Sequence, residues 1–170
     1  MYKAKLKLNN KEFLGTLDFL TLKNIQKEFK KEFGEDIKIQ DIFKKIADFD
    51  MRIIIIFILE TTKKVEDKTE EINKLLTIEE NLEKKFKNIF EYVEEIFLEC
   101  LPKIDENQEE SEFEEMEVDD WEFDWMEYMW TTTLKRIDFW NTTPKNFFGQ
   151  MDIYKKINNV KNKDENIEEI

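Results

Sequence analysis

Apolar and polar residues alternate at the beginning of the chain, where lysines separate Tyr2, Ala4, Leu6 and Leu8. A period of two residues predicts a strand with one buried face. The polar triplet NNK offers a turn, and EFLGTLDF is typical of the returning strand of a hairpin, weakened or bulged at Gly15. Because a hairpin alone is marginally stable, we expect helices to cover it.

The spacing then becomes helical. Thr21 is the predicted N-cap of a first helix, Gly34 its stop, and its inner face is predicted to carry Leu22, Ile25, Phe29 and Phe33. A shorter helix is predicted over residues 39–47, with Ile42, Phe43 and Ile46 facing inward.

The run IIIIFIL at residues 53–59 is ambiguous between helix and strand. Four consecutive isoleucines favour a strand by propensity, whereas Asp50 is a good N-cap and the neighbouring segments are helical. We assign the run to a buried helix. The polar stretch VEDKTEEINK that follows predicts a loop or a weak helical turn.

The clearest helical pattern begins at TIEE, where Thr77 and Glu80 have the spacing of a capping box. Pro102 ends this helix and closes a first domain over residues 1–103. Its apolar stripe, the expected core face, consists of Leu82, Phe86, Ile89, Phe90, Val93, Ile96, Phe97 and Leu101.

The second half of the chain predicts an acidic flexible linker at 104–117 and an aromatic-rich helical hairpin at 118–160. The hairpin has one helix at about 121–137 and another that begins at Pro144, with Thr143 as its N-cap. Residues 161–170 are expected to fray. The predicted fold class is therefore mainly α (α+β), with an N-terminal β-hairpin packed on a helical bundle.

Charge is concentrated in one place. Residues 105–127 contain thirteen acids and no Lys or Arg, while the other 27 acids are matched by 27 bases. Such a block is typical of a tether or an interaction segment, because like charges repel. A basic patch is not the leading feature, which argues against DNA or RNA as a partner.

Candidate chemistry is sparse. The chain has no His and one cysteine, Cys100, so zinc sites, disulfide frameworks and Cys-His or Ser-His catalysis are excluded within one chain. We expect no enzyme activity, no metal and no cofactor, and Cys100 to be a buried structural thiol. The sequence also shows no signal peptide and no apolar run long enough to span a bilayer, so we expect a soluble cytosolic protein without a membrane partner.

All four tryptophans fall within residues 121–140, in a segment too short to bury them all internally. Two interpretations remain open. The aromatics either form a small core or dock on the first domain, or they bind a partner, since Trp, Tyr and Met dominate binding hot spots.

The order of these parts resembles the tail assembly chaperones of long-tailed bacteriophages. The N-terminal part, with YKAKLKLNNKEFLGTLDF, TLKNIQKEF and LTIEENLEKKFKNIFEYVEEIFLECL, is similar to their small N-terminal domain. The segment FDWMEYMWTTTLKRIDFWNTTPKNFFGQMDIYKKI resembles the extension found in their longer, frameshifted form, including its Phe-Trp-x-x-Thr-Pro turn, here Phe139, Trp140, Thr143 and Pro144. In this chain the extension stands in one continuous sequence.

The resemblance implies a protein that coats and solubilises the tape measure protein in the host cytoplasm, recruits tail tube protein, and is absent from the finished virion. It also implies possible self-association. The residues expected to bind a partner are Trp121, Trp125, Met129, Trp130, Phe139, Trp140, Thr143, Pro144, Phe147 and Phe148. The alternative from another class is an acidic nucleic-acid mimic or host-defence antagonist that uses residues 105–127 as its active surface.

Overall fold

The computed structural model describes residues 2–102 and 120–165, and the side chains up to residue 158. The predicted linker, 104–117, lies outside the described residues. The described part is mainly helical, and its sheet is one antiparallel hairpin. The predicted fold class is confirmed.

The hairpin pairs β1 (Ala4–Leu8) with β2 (Lys11–Gly15), in a register that places Leu6 opposite Phe13. Alternate residues of β1 are buried, as a period of two requires. Gly15 pairs with Ala4 in the regular ladder, so the bulge considered from the sequence is not formed.

The first helix, α1 (Phe19–Phe33), begins earlier than predicted because Asp18, and not Thr21, is its N-cap. The Asp18 carboxylate accepts hydrogen bonds from the backbone N–H and the hydroxyl of Thr21, each at 2.8 Å. Gly34, with φ of 75°, ends the helix as predicted.

Helix α2 (Ile39–Ala47) agrees with the prediction, and the isoleucine run is helical as assigned, within α3 (Met51–Lys63). Asp50 caps α3 by accepting from the Arg52 N–H at 3.1 Å. This helix is apolar on most sides because β2, α1, α2 and α4 (Thr69–Thr77) surround it. The prediction of a loop or weak turn over VEDKTEEINK was wrong for its second half, which starts α4.

The long helix α5 (Leu82–Cys100) packs against β1. The predicted capping box is not formed, because Asn81 precedes the helix while Thr77 ends α4 and donates to the Lys74 carbonyl at 2.8 Å. The inner face of α5 is Lys85, Ile89, Tyr92, Ile96 and Cys100. The predicted stripe lies partly beside that face, so Leu82, Phe86 and Phe90 are about half exposed rather than buried.

The predicted helix over 121–137 is shorter and interrupted. Helix α6 (Phe123–Tyr128) runs into a π-helical turn, Met129–Thr133, and a 3₁₀ turn follows at Phe139–Asn141. The chain reverses between them through left-handed backbone at Lys135 and Asp138. Helix α7 (Pro144–Glu165) begins at the predicted proline, with the Asn146 N–H donating to the Thr143 hydroxyl at 3.3 Å. It includes the first residues of the tail that was expected to fray.

Candidate functional site

Phe19, the first residue of α1, is fully buried under aromatic side chains that come from the C-terminal part of the chain. Its ring stacks on Phe139 with centroids 4.4 Å apart and an interplanar angle of 16°. Three further rings approach it edge-on, with centroids 5.6–6.1 Å away. We call this cluster the aromatic junction: Phe19, Trp121, Phe123, Phe139 and Phe147.

A backbone hydrogen bond reinforces the junction. The first N–H groups of a helix have no partner within the helix. The N–H of Phe19 is one of them, and it donates to the Thr142 carbonyl oxygen at 3.2 Å. The C-terminal segment therefore satisfies a donor that α1 cannot satisfy itself.

A lysine ties the same two parts of the chain together. The Lys64 ammonium lies 3.0 Å from the fully buried Asp18 carboxylate and donates to the side-chain oxygen of Asn141 at 2.7 Å. A buried carboxylate is costly without a partner, so Lys64 stabilises Asp18 and with it the beginning of α1. Its hydrogen bond to Asn141 joins this position to the C-terminal segment.

The Asp120 carboxylate caps the N-terminus of α2, although Asp120 is distant from that helix in the chain. Lys38, which precedes α2, makes no side-chain capping hydrogen bond, and the Asp120 carboxylate instead accepts from the Ile39 N–H at 2.8 Å. Its other oxygen accepts from the Gln26 amide at 2.7 Å. A negative charge at a helix N-terminus is favourable, so this contact anchors the C-terminal segment to α1 and α2.

The ten residues predicted to bind a partner divide by burial. Four of them are buried: Trp130, Phe139, Pro144 and Phe147. Five are partly buried: Trp121, Met129, Trp140, Thr143 and Phe148. Trp125 is 52% exposed, and the neighbouring Tyr128 and Ile137, which the prediction omitted, are also exposed.

The indole N–H groups of the buried Trp130 and of the partly buried Trp140 both have hydrogen-bond acceptors. The Trp130 indole N–H donates to the Ile137 carbonyl at 2.8 Å across the chain reversal. The Trp140 indole N–H donates to the Glu127 carboxylate at 3.0 Å. The Lys23 ammonium lies 4.4 Å from the centre of one Trp140 ring. Most of these aromatics thus pack within the molecule, as one of the two interpretations allowed.

The acidic surface proposed for a nucleic-acid mimic is described only from residue 120 onward. In that part, Asp120 and Glu127 use their carboxylates in the internal hydrogen bonds above. Glu122 and Asp124 are exposed. Residues 105–119, which hold most of these acids, lie outside the described part of the chain.

A second apolar surface lies on the N-terminal part. Leu82, Phe86 and Phe90 follow one another at intervals of four residues along α5, and the tilted ring of Phe49 packs against Phe90 with centroids 4.8 Å apart. These four side chains, which we call the α5 stripe, are 46–57% exposed. Phe49 has a φ of 61°, an unusual conformation for a bulky residue.

A cleft of about 540 Å³ opens between α1, α3 and α4. Its floor is apolar, with Phe33, Ile55, Ile56 and Leu59, and its rim carries both acids and bases. It contains none of the residues predicted to bind a partner. An apolar floor with charges of both signs does not single out an anionic or a cationic ligand.

The structure places the one cysteine of the chain on the inner face of α5. Cys100 is buried, and burial raises the pKa of its thiol, opposing the reactive thiolate. Nowhere among the described side chains, those of residues 2–102 and 120–158, do three or more His, Cys, Asp or Glu gather closely enough to hold a metal ion. Nor does any helix in these ranges combine the length and apolar character needed to cross a bilayer.

Sequence reasoning missed Phe19, Asp18, Gln26 and Asp120 as the anchors of the C-terminal segment. Asp18, three residues before Thr21, was a recognisable capping signal. The partners of Phe19 and Gln26 in the C-terminal segment are 94 or more residues away in the chain, and no local pattern identifies them.

Comparison with protein-family models, curated proteins and solved structures finds no match to this chain.

Proposed function

We propose that this protein is a phage tail assembly chaperone that binds the tape measure protein, keeps it soluble in the host cytoplasm and brings tail tube protein to it. The role is one of binding rather than of catalysis. The observation that supports it most directly is the α5 stripe, because it leaves four large apolar side chains half exposed on a small acidic protein.

The geometry of the stripe suits a helical partner. Residues spaced by four form a ridge along a helix, and such ridges pack into the grooves of another helix. From Leu82 to Phe90 the ridge is about 12 Å long, since each residue rises about 1.5 Å. A tape measure protein is a long helical polymer with apolar faces, so each chaperone would cover about two helical turns and many copies would hold it by avidity.

The second partner would use a separate surface. Trp125 and Tyr128 are exposed and three residues apart on α6, so they lie on the same side of that helix. An exposed Trp and Tyr on a well-anchored helix are suitable hot-spot residues for tail tube protein. The other predicted aromatics support this surface by anchoring α6 and α7.

The α5 stripe can be tested with two matched leucines on one helix. Leu82→Glu changes the stripe, whereas Leu98→Glu changes a leucine that is 62% exposed and lies about 160° further round α5. The full chain and both variants are co-expressed with the tape measure protein, and the soluble fraction and the co-purified amount are measured. We expect at least a tenfold loss of co-purification for Leu82→Glu and less than a twofold loss for Leu98→Glu.

Tail tube binding is tested separately with Trp125→Ala. We expect this variant to retain the tape measure protein and to lose most of its captured tube protein. Full retention of the tape measure by a folded Leu82→Glu variant would refute the proposed docking surface. If neither protein binds the unmodified chain, the chaperone function itself is wrong.

A further inference from the structure

The connection between the two parts of the chain is longer than the contact requires. The rings of Trp121 and Phe97 both pack against Phe43, so their centroids are at most about 12 Å apart. Seventeen residues, 103–119, join Pro102 to Asp120 close by. That number of residues can span up to about 60 Å when extended. The length of this connection therefore allows Asp120 to reach α1 and α2 of another copy as well as those of its own chain.

Every copy of the protein carries both surfaces of the contact between the C-terminal part and the N-terminal part. We call residues 120–151 the docking segment. It contributes four rings of the aromatic junction, the Thr142 carbonyl, Asn141 and the Asp120 carboxylate. The receiving surface consists of Phe19, Asp18 with Lys64, Gln26 and the first N–H of α2.

We propose that the docking segment exchanges between copies, so that the segment of one chain occupies the receiving surface of a neighbouring chain. Exchange of an identical element creates no new contact and loses none, which makes it a low-cost route to association. Its partner is a second copy of this chain. The proposal concerns the protein alone and does not depend on the proposed function.

The balance between the two arrangements depends on concentration. Because it belongs to the same chain, a docking segment has an effective concentration on the order of 1 mM at its own receiving surface. A dilute protein is therefore expected to be monomeric, with the segment docked on its own chain. Copies held side by side at millimolar local concentration, as on a shared polymer, would exchange segments and become linked.

The contact between Lys145 and Glu99 provides a reporter at the edge of this interface. The Lys145 ammonium lies 3.4 Å from the Glu99 carboxylate and 2.8 Å from the Leu98 carbonyl, and both side chains are partly exposed. In a Cys100→Ala background, one full-length chain carries Glu99→Cys and a second, tagged chain carries Lys145→Cys. A short thiol cross-linker joins them only when α7 of one copy lies against α5 of the other.

The two chains are mixed at about 0.02 mM and about 2 mM, values chosen on either side of the effective concentration. They are incubated in mild urea to allow exchange, returned to buffer and cross-linked. Pairing Glu99→Cys with Lys84→Cys measures random collisions, because Lys84 is exposed near the opposite end of α5. A single chain with both Glu99→Cys and Lys145→Cys shows that the reporter cross-links within one molecule.

We expect the product of the Glu99→Cys and Lys145→Cys chains to exceed the collision control at least tenfold at the higher concentration and to approach it at the lower one. The same sample should contain dimers by sedimentation. A product equal to the collision control at about 2 mM, together with efficient cross-linking within the double-cysteine chain, would overturn the proposal.

Discussion

The rings of Phe19 and Phe139 stack 4.4 Å apart, although 120 positions separate these residues in the chain. One residue begins α1 and the other begins the 3₁₀ turn of the C-terminal part. Around this pair, the C-terminal part provides the first N–H of α1 with an acceptor and provides α2 with a carboxylate cap. The aromatic junction therefore stabilises the N-terminal helices as well as the C-terminal segment.

Replacing Phe139 by alanine should be strongly destabilising. The ring is almost fully buried and contacts Phe19, Trp140 and Phe147, so its removal leaves a cavity as well as losing apolar burial. We expect the free energy of unfolding in urea to fall by about 3–5 kcal/mol. Phe49→Ala is the matched control, because Phe49 is 57% exposed, and it should cost less than about 1 kcal/mol. Equal losses for the two variants would contradict the packing described here.

The carboxylate cap on α2 can be examined with Asp120→Ala. This change removes the acceptor of the Ile39 N–H and one of the two acceptors of the Gln26 amide, and it should lower the free energy of unfolding by about 1–2 kcal/mol. Asp152→Ala, on the exposed side of α7, should change it by less than about 0.5 kcal/mol. Thermal or urea denaturation of both variants gives the comparison. An Asp120 variant as stable as the Asp152 variant would mean that α2 does not depend on this cap.

The sequence allowed correct prediction of elements whose signals are local. The β1 alternation, the Asp50 cap, the Gly34 stop and the Thr143–Pro144 helix start all lie within a few residues of the structure they specify. The Asp50 cap, together with the helical pattern of the neighbouring segments, favoured a helix over the strand propensity of the isoleucines that follow it.

The misassigned features depend on distant partners. The apolar arc of α5 is wider than the face that β1 covers, and periodicity alone cannot show which edge of the arc faces the hairpin. The helix predicted over 121–137 ends early because Trp130 turns inward and its indole bonds the Ile137 carbonyl. Whether the exposed aromatics bind a partner stays a prediction.

Gly15 is required by the close approach of Tyr92. A Cβ atom at position 15 would lie 1.7 Å from the Tyr92 hydroxyl oxygen and 3.2 Å from the Thr61 backbone. Because the clash involves a buried side chain held between β2 and α3, we expect Gly15→Ala to cost at least about 2 kcal/mol by urea denaturation. Gly149→Ala is the control: nothing lies within 4 Å of its added Cβ, and alanine is the better helix former by about 1 kcal/mol. The two substitutions should thus have opposite signs, and a neutral Gly15→Ala would show that Tyr92 can move aside.

Tyr92 should also make the protein sensitive to high pH. Burial raises the pKa of its hydroxyl well above the usual value near 10, although a hydrogen bond with the Thr61 hydroxyl at 2.8 Å partly opposes the shift. The folded state therefore keeps its proton at a pH where the unfolded state loses it. Below about pH 10, this group should not change the free energy of unfolding. Above about pH 10, it should lower the free energy of unfolding by up to about 1.4 kcal/mol per pH unit.

The measurement compares wild type with Tyr92→Phe and Tyr128→Phe in urea between pH 8 and pH 11. At pH 8, Tyr92→Phe should be less stable than wild type by about 1 kcal/mol, because the hydrogen bond with Thr61 is lost. Near pH 11 that difference should disappear, since the variant has no buried hydroxyl to keep protonated. Tyr128→Phe changes an exposed ring, and its stability should parallel that of wild type throughout. If the difference between wild type and Tyr92→Phe stays constant up to pH 11, the buried Tyr92 hydroxyl is not the group that limits alkaline stability.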